Sequence, residues 1–197
     1  MYTDSDVVQV HTVAEAYLYL MIVRCRTCGK GPLEQLGDLT RAASAPGGWL
    51  LESVCSTCGA ERPLCFAVEP APTREQARID RINPTSERSA AIDLLGWLSL
   101  FQTILGESSQ HRDKPTARQL AYEAAQCLDE ALKFYERDHE LPDESAFFTE
   151  ESRRRFRDHP QYFNRSKWRE RRLRLPDIAA QTQPLHEPKR RWWQFWR

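Results

Sequence analysis

The chain has 197 residues, 41% hydrophobic and 28% charged, with 28 Lys/Arg balanced by 28 Asp/Glu. That length suits one ordinary core, or a small stapled module beside a helical domain, and the composition excludes wholesale disorder. The zero net charge conceals a polarity: residues 1–149 hold 14 Lys/Arg against 22 Asp/Glu, whereas residues 150–197 hold 14 against 6.

Asp4 and Asp6 stand where a secretory leader would be basic, and no small-residue cleavage site follows, so a cytoplasmic protein is expected. The longest uncharged run, Leu94 to Gly106, has thirteen residues, short of the roughly 18–20 of a membrane-spanning helix, and reads as core. The cysteines group as two Cys-x-x-Cys pairs plus isolated Cys65 and Cys127, which fits a reducing compartment better than a disulfide framework.

In chain order, Thr12-Val-Ala-Glu15 has the form of a capping box opening a short helix to Ile22. The unbroken apolar run Ala16 to Val23 would serve equally as a strand, and periodicity does not separate the two. Next come Cys25-Arg-Thr-Cys28-Gly29 and Cys55-Ser-Thr-Cys58-Gly59, with 26 residues between Cys28 and Cys55. A Cys-x-x-Cys turn lets two thiolates converge on one ion, and the following glycine permits the positive φ that the turn needs. Two such turns supply the four ligands of a closed tetrahedral site. Strands are expected at Leu33–Leu39, Trp49–Val54 and Arg62–Val68, with Ala42–Gly48 as a turn.

This stretch, residues 23–69, resembles the zinc-ribbon class. The resemblance implies a structural Zn2+ held by Cys25, Cys28, Cys55 and Cys58, on short antiparallel strands. A rubredoxin-type iron centre uses the same paired knuckles and stands as the alternative metal, although Trp49 and Phe66 are the obvious aromatics nearby. Cys65 and Cys127 read as small buried apolar residues on a strand and a helix.

Beyond Pro70-Ala-Pro72 the pattern turns helical. Thr73 to Gln76 opens a short helix stopped at Asn83-Pro84, and Ser86 is expected to cap a longer one ending at Leu105 with Gly106 as its left-handed terminus. Pro115 and Thr116 begin a helix to about Asp138, with an apolar stripe from Leu120 through Cys127 and Leu128 to Tyr135. Thr149 caps a helix to Asp158, Pro160–Phe163 forms a turn, and Ser166–Leu173 makes a basic helix. Residues 176–188 read as a Pro-containing linker to a flexible tail. The expected architecture is therefore α+β: residues 1–70 as helix plus ribbon, packed on an α-helical domain of about four helices over 71–175, then linker and tail over 176–197.

No phosphate loop, nucleophile elbow or carboxylate dyad is present, and the five histidines are scattered, so the expectation is a protein that is not an enzyme. Two features could bear on partners. The tail Lys189, Arg190, Arg191, Trp192, Trp193, Phe195, Trp196 and Arg197 joins interface-seeking aromatics to cations. It suits docking on an anionic membrane surface, which would make the protein peripheral there, insertion into a groove of an unidentified protein partner, or folding back on its own domain. The Arg-rich segment 153–174, with Arg165, Lys167, Trp168, Arg169, Arg171 and Arg172, has the cation-and-aromatic pattern of nucleic-acid contacts. The expected function is a non-enzymatic zinc-ribbon adaptor or regulatory protein. The alternatives are a nucleic-acid-associated factor and a rubredoxin-like electron carrier.

Overall fold

A computed structural model describes residues 7–42, 48–68 and 81–177. Most of the turn expected over 42–48, the helix expected to open at Thr73 and stop at Asn83-Pro84 as far as residue 80, the linker from residue 178 and the Trp-rich tail lie outside the described residues. The fold is α+β and divides into two compact units. One runs to Thr85 and takes in Ser89–Ala91; the other comprises Ser86–Arg88 and the chain from Ile92 onward.

In the first unit, β1 (Val7–Val10) precedes α1 (Val13–Ile22). The helix prevails over the strand alternative because Glu15, Ala16, Tyr17, Leu18 and Leu20 are all buried, a set that covers most of the helix surface and so leaves no polar face for periodicity to report. Thr12 caps it, accepting the Glu15 N–H at 3.2 Å. The Glu15 carboxylate accepts the N–H of His11 at 2.6 Å, so the expected capping box closes one residue early.

The strands are shorter and more numerous than the sequence suggests: β2 (Leu33–Gln35), β3 (Thr40–Arg41), β4 (Gly48–Leu51), β5 (Ser53–Cys55) and β6 (Leu64–Val68). Four of them form a sheet in the order β1-β6-β4-β3, while β2 and β5 pair separately and antiparallel. Within residues 23–69 the described pairings are antiparallel, as expected of the ribbon; β1, which precedes that stretch and was not foreseen as a strand, adds a parallel neighbour to β6, with Val7 opposite Cys65 and Val10 opposite Val68. Parallel neighbours far apart in sequence leave no hairpin signal between them. Leu18, Leu51, Leu64 and Phe66 are buried in this unit, and Cys65 is buried on β6 as expected. The ring of Phe66 meets Tyr19 edge-on at 6.0 Å.

The second unit contains four α-helices among the described residues: α2 (Leu94–Gln110), α3 (Lys114–Leu132), α4 (Glu150–Asp158) and α5 (Arg165–Leu173). Single 3-10 turns occupy Glu144–Ala146 and Pro160–Phe163. Helix α2 starts at Leu94 rather than after Ser86, because the buried Asp93 carboxylate is the better cap. One oxygen accepts the Gly96 N–H at 2.8 Å and the other the Phe148 N–H at 3.1 Å. Gly106 lies inside the helix, which runs to Gln110 with His111 as its C-cap, so the expected left-handed terminus there is also corrected. Helix α3 stops at Leu132, short of Asp138, yet Phe134 and Tyr135 remain buried, and the Tyr135 hydroxyl donates to the Phe163 carbonyl at 2.9 Å. Cys127 is fully buried, and that burial pushes its thiol well above the usual range. The Thr149 cap, the Pro160 turn and the basic helix fall where expected.

Aromatic rings close this unit. Phe147 stacks on Phe156 at 4.8 Å, Phe163 meets Phe147 edge-on at 5.0 Å, and the buried Trp168 meets Phe101 at 6.0 Å and Tyr162 at 5.3 Å. The start of α5 is pinned by Glu140, whose carboxylate accepts the Ser166 hydroxyl at 2.7 Å and its N–H at 3.1 Å. These bonds, with Arg165 and Arg169 nearby, hold the Glu140 carboxyl below its ordinary range. A depressed carboxyl contributes stability that is present above its unfolded pKa of about 4.3 and lost as pH falls through the lower folded value. Glu140→Gln is therefore expected to flatten the acid limb of stability against pH, measured as urea midpoints of both chains across that range.

Candidate metal centre

The two knuckles fold as copies of one another. In the first, the Cys25 N–H donates to the Lys30 carbonyl and the Gly29 N–H to the Cys25 carbonyl; in the second, Cys55 donates to Ala60 and Gly59 to Cys55. Gly29 and Gly59 have φ of 69° and 71°, the left-handed conformation that an L side chain resists. Each turn thus returns the chain past its own first cysteine and leaves both sulfurs on one side.

Contacts between the knuckles then bring the pairs together. Ser56 donates its N–H and hydroxyl to the Pro32 carbonyl at 3.2 and 3.0 Å, and the Arg62 guanidinium donates to the Arg24 carbonyl at 2.9 Å. The β2–β5 ladder places Leu33 opposite Cys55. Gly31 passes so close to the Val23 carbonyl that a Cβ would sit 2.9 Å from its oxygen, which reserves the position for glycine.

The result is a cluster of four sulfurs, from Cys25, Cys28, Cys55 and Cys58, all within 4.8 Å of one another. Cys25 and Cys58 approach to 3.7 Å, as do Cys28 and Cys55. A regular tetrahedron with metal–sulfur bonds of about 2.3 Å has edges of about 3.8 Å. The cluster has the dimensions of a four-thiolate site, and it is consistent with a zinc-binding knuckle motif. Cys25 and Cys55 are buried and Cys58 is exposed, so the site lies at one edge of the ribbon.

The electrostatics point the same way. The N–H groups of Cys28 and Thr27 draw the Cys25 thiol down to about 6, and that of Cys58, outweighing burial, lowers Cys55. Cys58 moves oppositely, to about 12: the Ala60 N–H lowers it, but burial and the sulfurs of Cys28, Cys55 and Cys25 outweigh that bond. Amides favour the first thiolates, and the accumulating negative charge then opposes the last. A divalent cation resolves that conflict by ionising all four. When bound, a metal would supply a cross-link between the two knuckles, and zinc would supply no redox step.

Beside the first knuckle lies a cleft of about 430 Å³, lined by Val8, Tyr19, Cys25, Arg26, Arg62 and Leu64 among others. Burial pushes the Tyr19 hydroxyl up, opposed by the charges of Arg62 and Arg26. The sequence reading missed these residues; the Arg in Cys25-Arg-Thr-Cys28 and the Arg-Pro following the second knuckle were the available signals.

The other expected contact residues are dispersed in role. Trp168 is buried and donates its indole N–H to the Tyr162 carbonyl at 2.8 Å. Arg172 forms a two-pronged pair with Asp129 at 2.7 and 3.0 Å, and Arg165 donates to the carbonyls of Glu136 and Arg137. Lys167 and Arg171 lie over aromatic rings, and Arg169 is exposed. The tail residues Lys189 to Arg197 lie outside the described residues. Among the described residues no helix is long and apolar enough to cross a membrane. Compared with known proteins, the chain matches no family model, no curated protein and no solved structure.

Proposed function

We propose that this is a non-enzymatic adaptor or regulatory protein whose ribbon is stapled by one structural Zn2+. The observation that carries the reading is the closed set of four sulfurs at tetrahedral spacing. Four thiolates fill zinc's coordination, so no position is left for water or substrate, and such an ion organises a surface rather than a reaction. The cleft beside Cys25, whose lining joins the apolar Val8 and Leu64 to the charged Arg26, Arg62 and Glu61, supports a recognition role for that surface. The Trp-rich tail, in this reading, adds the contact that docks the protein on a partner or an anionic membrane.

Metal analysis of the full chain, purified without added metal and paired with its absorption spectrum, tests the proposal. One zinc per chain and a colourless protein are expected. A red, iron-containing protein would replace the structural reading with electron transfer, and a fold unchanged by chelation would remove the metal from the account. Co-sedimentation with anionic vesicles, comparing the full chain with one ending at Pro188, tests the tail; equal pelleting would rule out membrane delivery by it.

A further inference from the structure

The helical unit is electrically polarised. Residues 92–149 hold 5 Lys/Arg against 11 Asp/Glu, whereas residues 150–174 hold 10 against 4. Five of the ten basic side chains of the second stretch are engaged. Arg153 and Arg157 pair with Glu150, Arg174 with Glu170, and Arg172 with Asp129, while Arg165 is bonded to carbonyls. Of the other five, Arg154 and Arg169 stand apart, and three cations gather around one aromatic pair. Lys167 Nζ sits 5.5 Å from the centre of the Tyr162 ring and 5.7 Å from that of Trp168, and the Arg171 guanidinium lies 5.0 Å from the Trp168 ring. Arg155, on α4, completes the group: it and Arg171 are the charges that act on the Tyr162 hydroxyl, beside the Gln102 side chain.

Among the described residues, no carboxylate lies within ion-pair distance of Arg155, Lys167 or Arg171. Like charges gathered without a counter-ion repel, and ring faces offset that repulsion only partly. An oxyanion with charge to share among several donors does so fully, and guanidinium groups suit phosphate in particular. All three cations are exposed, whereas Trp168 beneath them is buried and Tyr162 is half-buried, so the rings position the cations and leave little face for a base to stack on. The face also lacks the apolar fringe that a membrane-lying helix presents: Phe156 is turned inward on Phe147, and Leu173 is the large apolar side chain of α4 and α5 that is exposed.

We propose that Arg155, Lys167 and Arg171 form a cradle for the phosphodiester backbone of single-stranded nucleic acid, gripped without base specificity. It lies wholly in the helical unit and is independent of the metal, so either proposal can fail alone. Phosphate contacts set the salt dependence of binding, about 0.7 in log–log slope per phosphate neutralised on a single strand.

The test is fluorescence anisotropy of a labelled oligo(dT) titrated with the full chain over a salt series. It compares the native chain with Arg155→Gln/Lys167→Gln/Arg171→Gln and with Arg153→Gln/Arg157→Gln/Arg174→Gln, which removes equal charge from side chains that already have carboxylate partners. The first triple is expected to weaken binding at least about tenfold and to make the salt slope shallower by about 2, and the second to weaken it less than about threefold. Should the first triple lose its helical circular dichroism, the exposed Arg155→Gln alone carries the comparison, with a slope change of about 0.7. No binding by the native chain, equal losses in both triples, or equal affinity for poly-glutamate or for phosphatidylserine vesicles would each overturn the proposal.

Discussion

Cys55→Ser is expected to abolish stoichiometric zinc and unfold the ribbon. Structural zinc in small peptides contributes on the order of 10–16 kcal/mol at neutral pH, comparable to or larger than the roughly 5–15 kcal/mol by which whole domains are stable. The strands here give the ribbon little to fall back on: β2 and β5 have three residues each and β3 two. Cys55 also belongs to the structure beyond its sulfur, since it is buried, lies opposite Leu33 in the β2–β5 ladder and donates to the Ala60 carbonyl. Losing the metal therefore releases a strand as well as a ligand. The measurement is zinc per chain by mass spectrometry, with limited proteolysis mapping cleavage over residues 23–68. Cys65→Ala is the control: Cys65 is buried on β6 but outside the cluster, so this variant should keep its zinc and lose only packing. Zinc retained in the serine variant, or lost in the alanine one, would break the assignment of ligands.

The four clustered cysteines were legible in the sequence because the geometry of each knuckle is local. Each knuckle is five residues whose turn geometry dictates both the cysteine spacing and the glycine. The helices of the second unit were legible where a polar cap met an apolar stripe, as at Thr149, and less so where capping was tertiary. Asp93 serves the helix start and Phe148 together, and nothing within the helix-start pattern around Ser86 reports that distant amide. The parallel pairing of β1 with β6 was invisible for a similar reason: residues 7–10 meet residues 65–68 across the whole ribbon. The Arg-rich segment could be read as basic, but not sorted. Composition does not tell Arg172, committed to Asp129, from Arg171 one residue earlier, which lies over the Trp168 ring.

Trp168→Ala should be among the most damaging truncations in the helical unit, costing about 3–5 kcal/mol by the measure of large aromatic truncations in cores. The indole is fully buried, touches Phe101 of α2 and Tyr162 of the 3-10 turn, and closes a hydrogen bond to the Tyr162 carbonyl. Removing it would leave a cavity between α2 and α5 and strip a part-buried carbonyl of its donor. Trp168→Phe separates these losses, since it keeps most of the ring contact but not the N–H, and should cost about 1 kcal/mol, the net worth of an ordinary hydrogen bond, because the Tyr162 carbonyl is only part-buried. Guanidinium unfolding of the full chain followed by far-UV circular dichroism gives both numbers. Lys167→Gln, exposed on the same turn, should stay within about 0.5 kcal/mol of the native chain, because an exposed cation over a ring adds little to folding. That contrast carries the argument about the basic face. If the cations over Trp168 matter little to stability while the ring beneath them matters greatly, the fold is spending its aromatic core on holding unpaired charge in place. A large stability loss from Lys167→Gln would instead make those charges part of the packing, and would weaken the case that they await a phosphate.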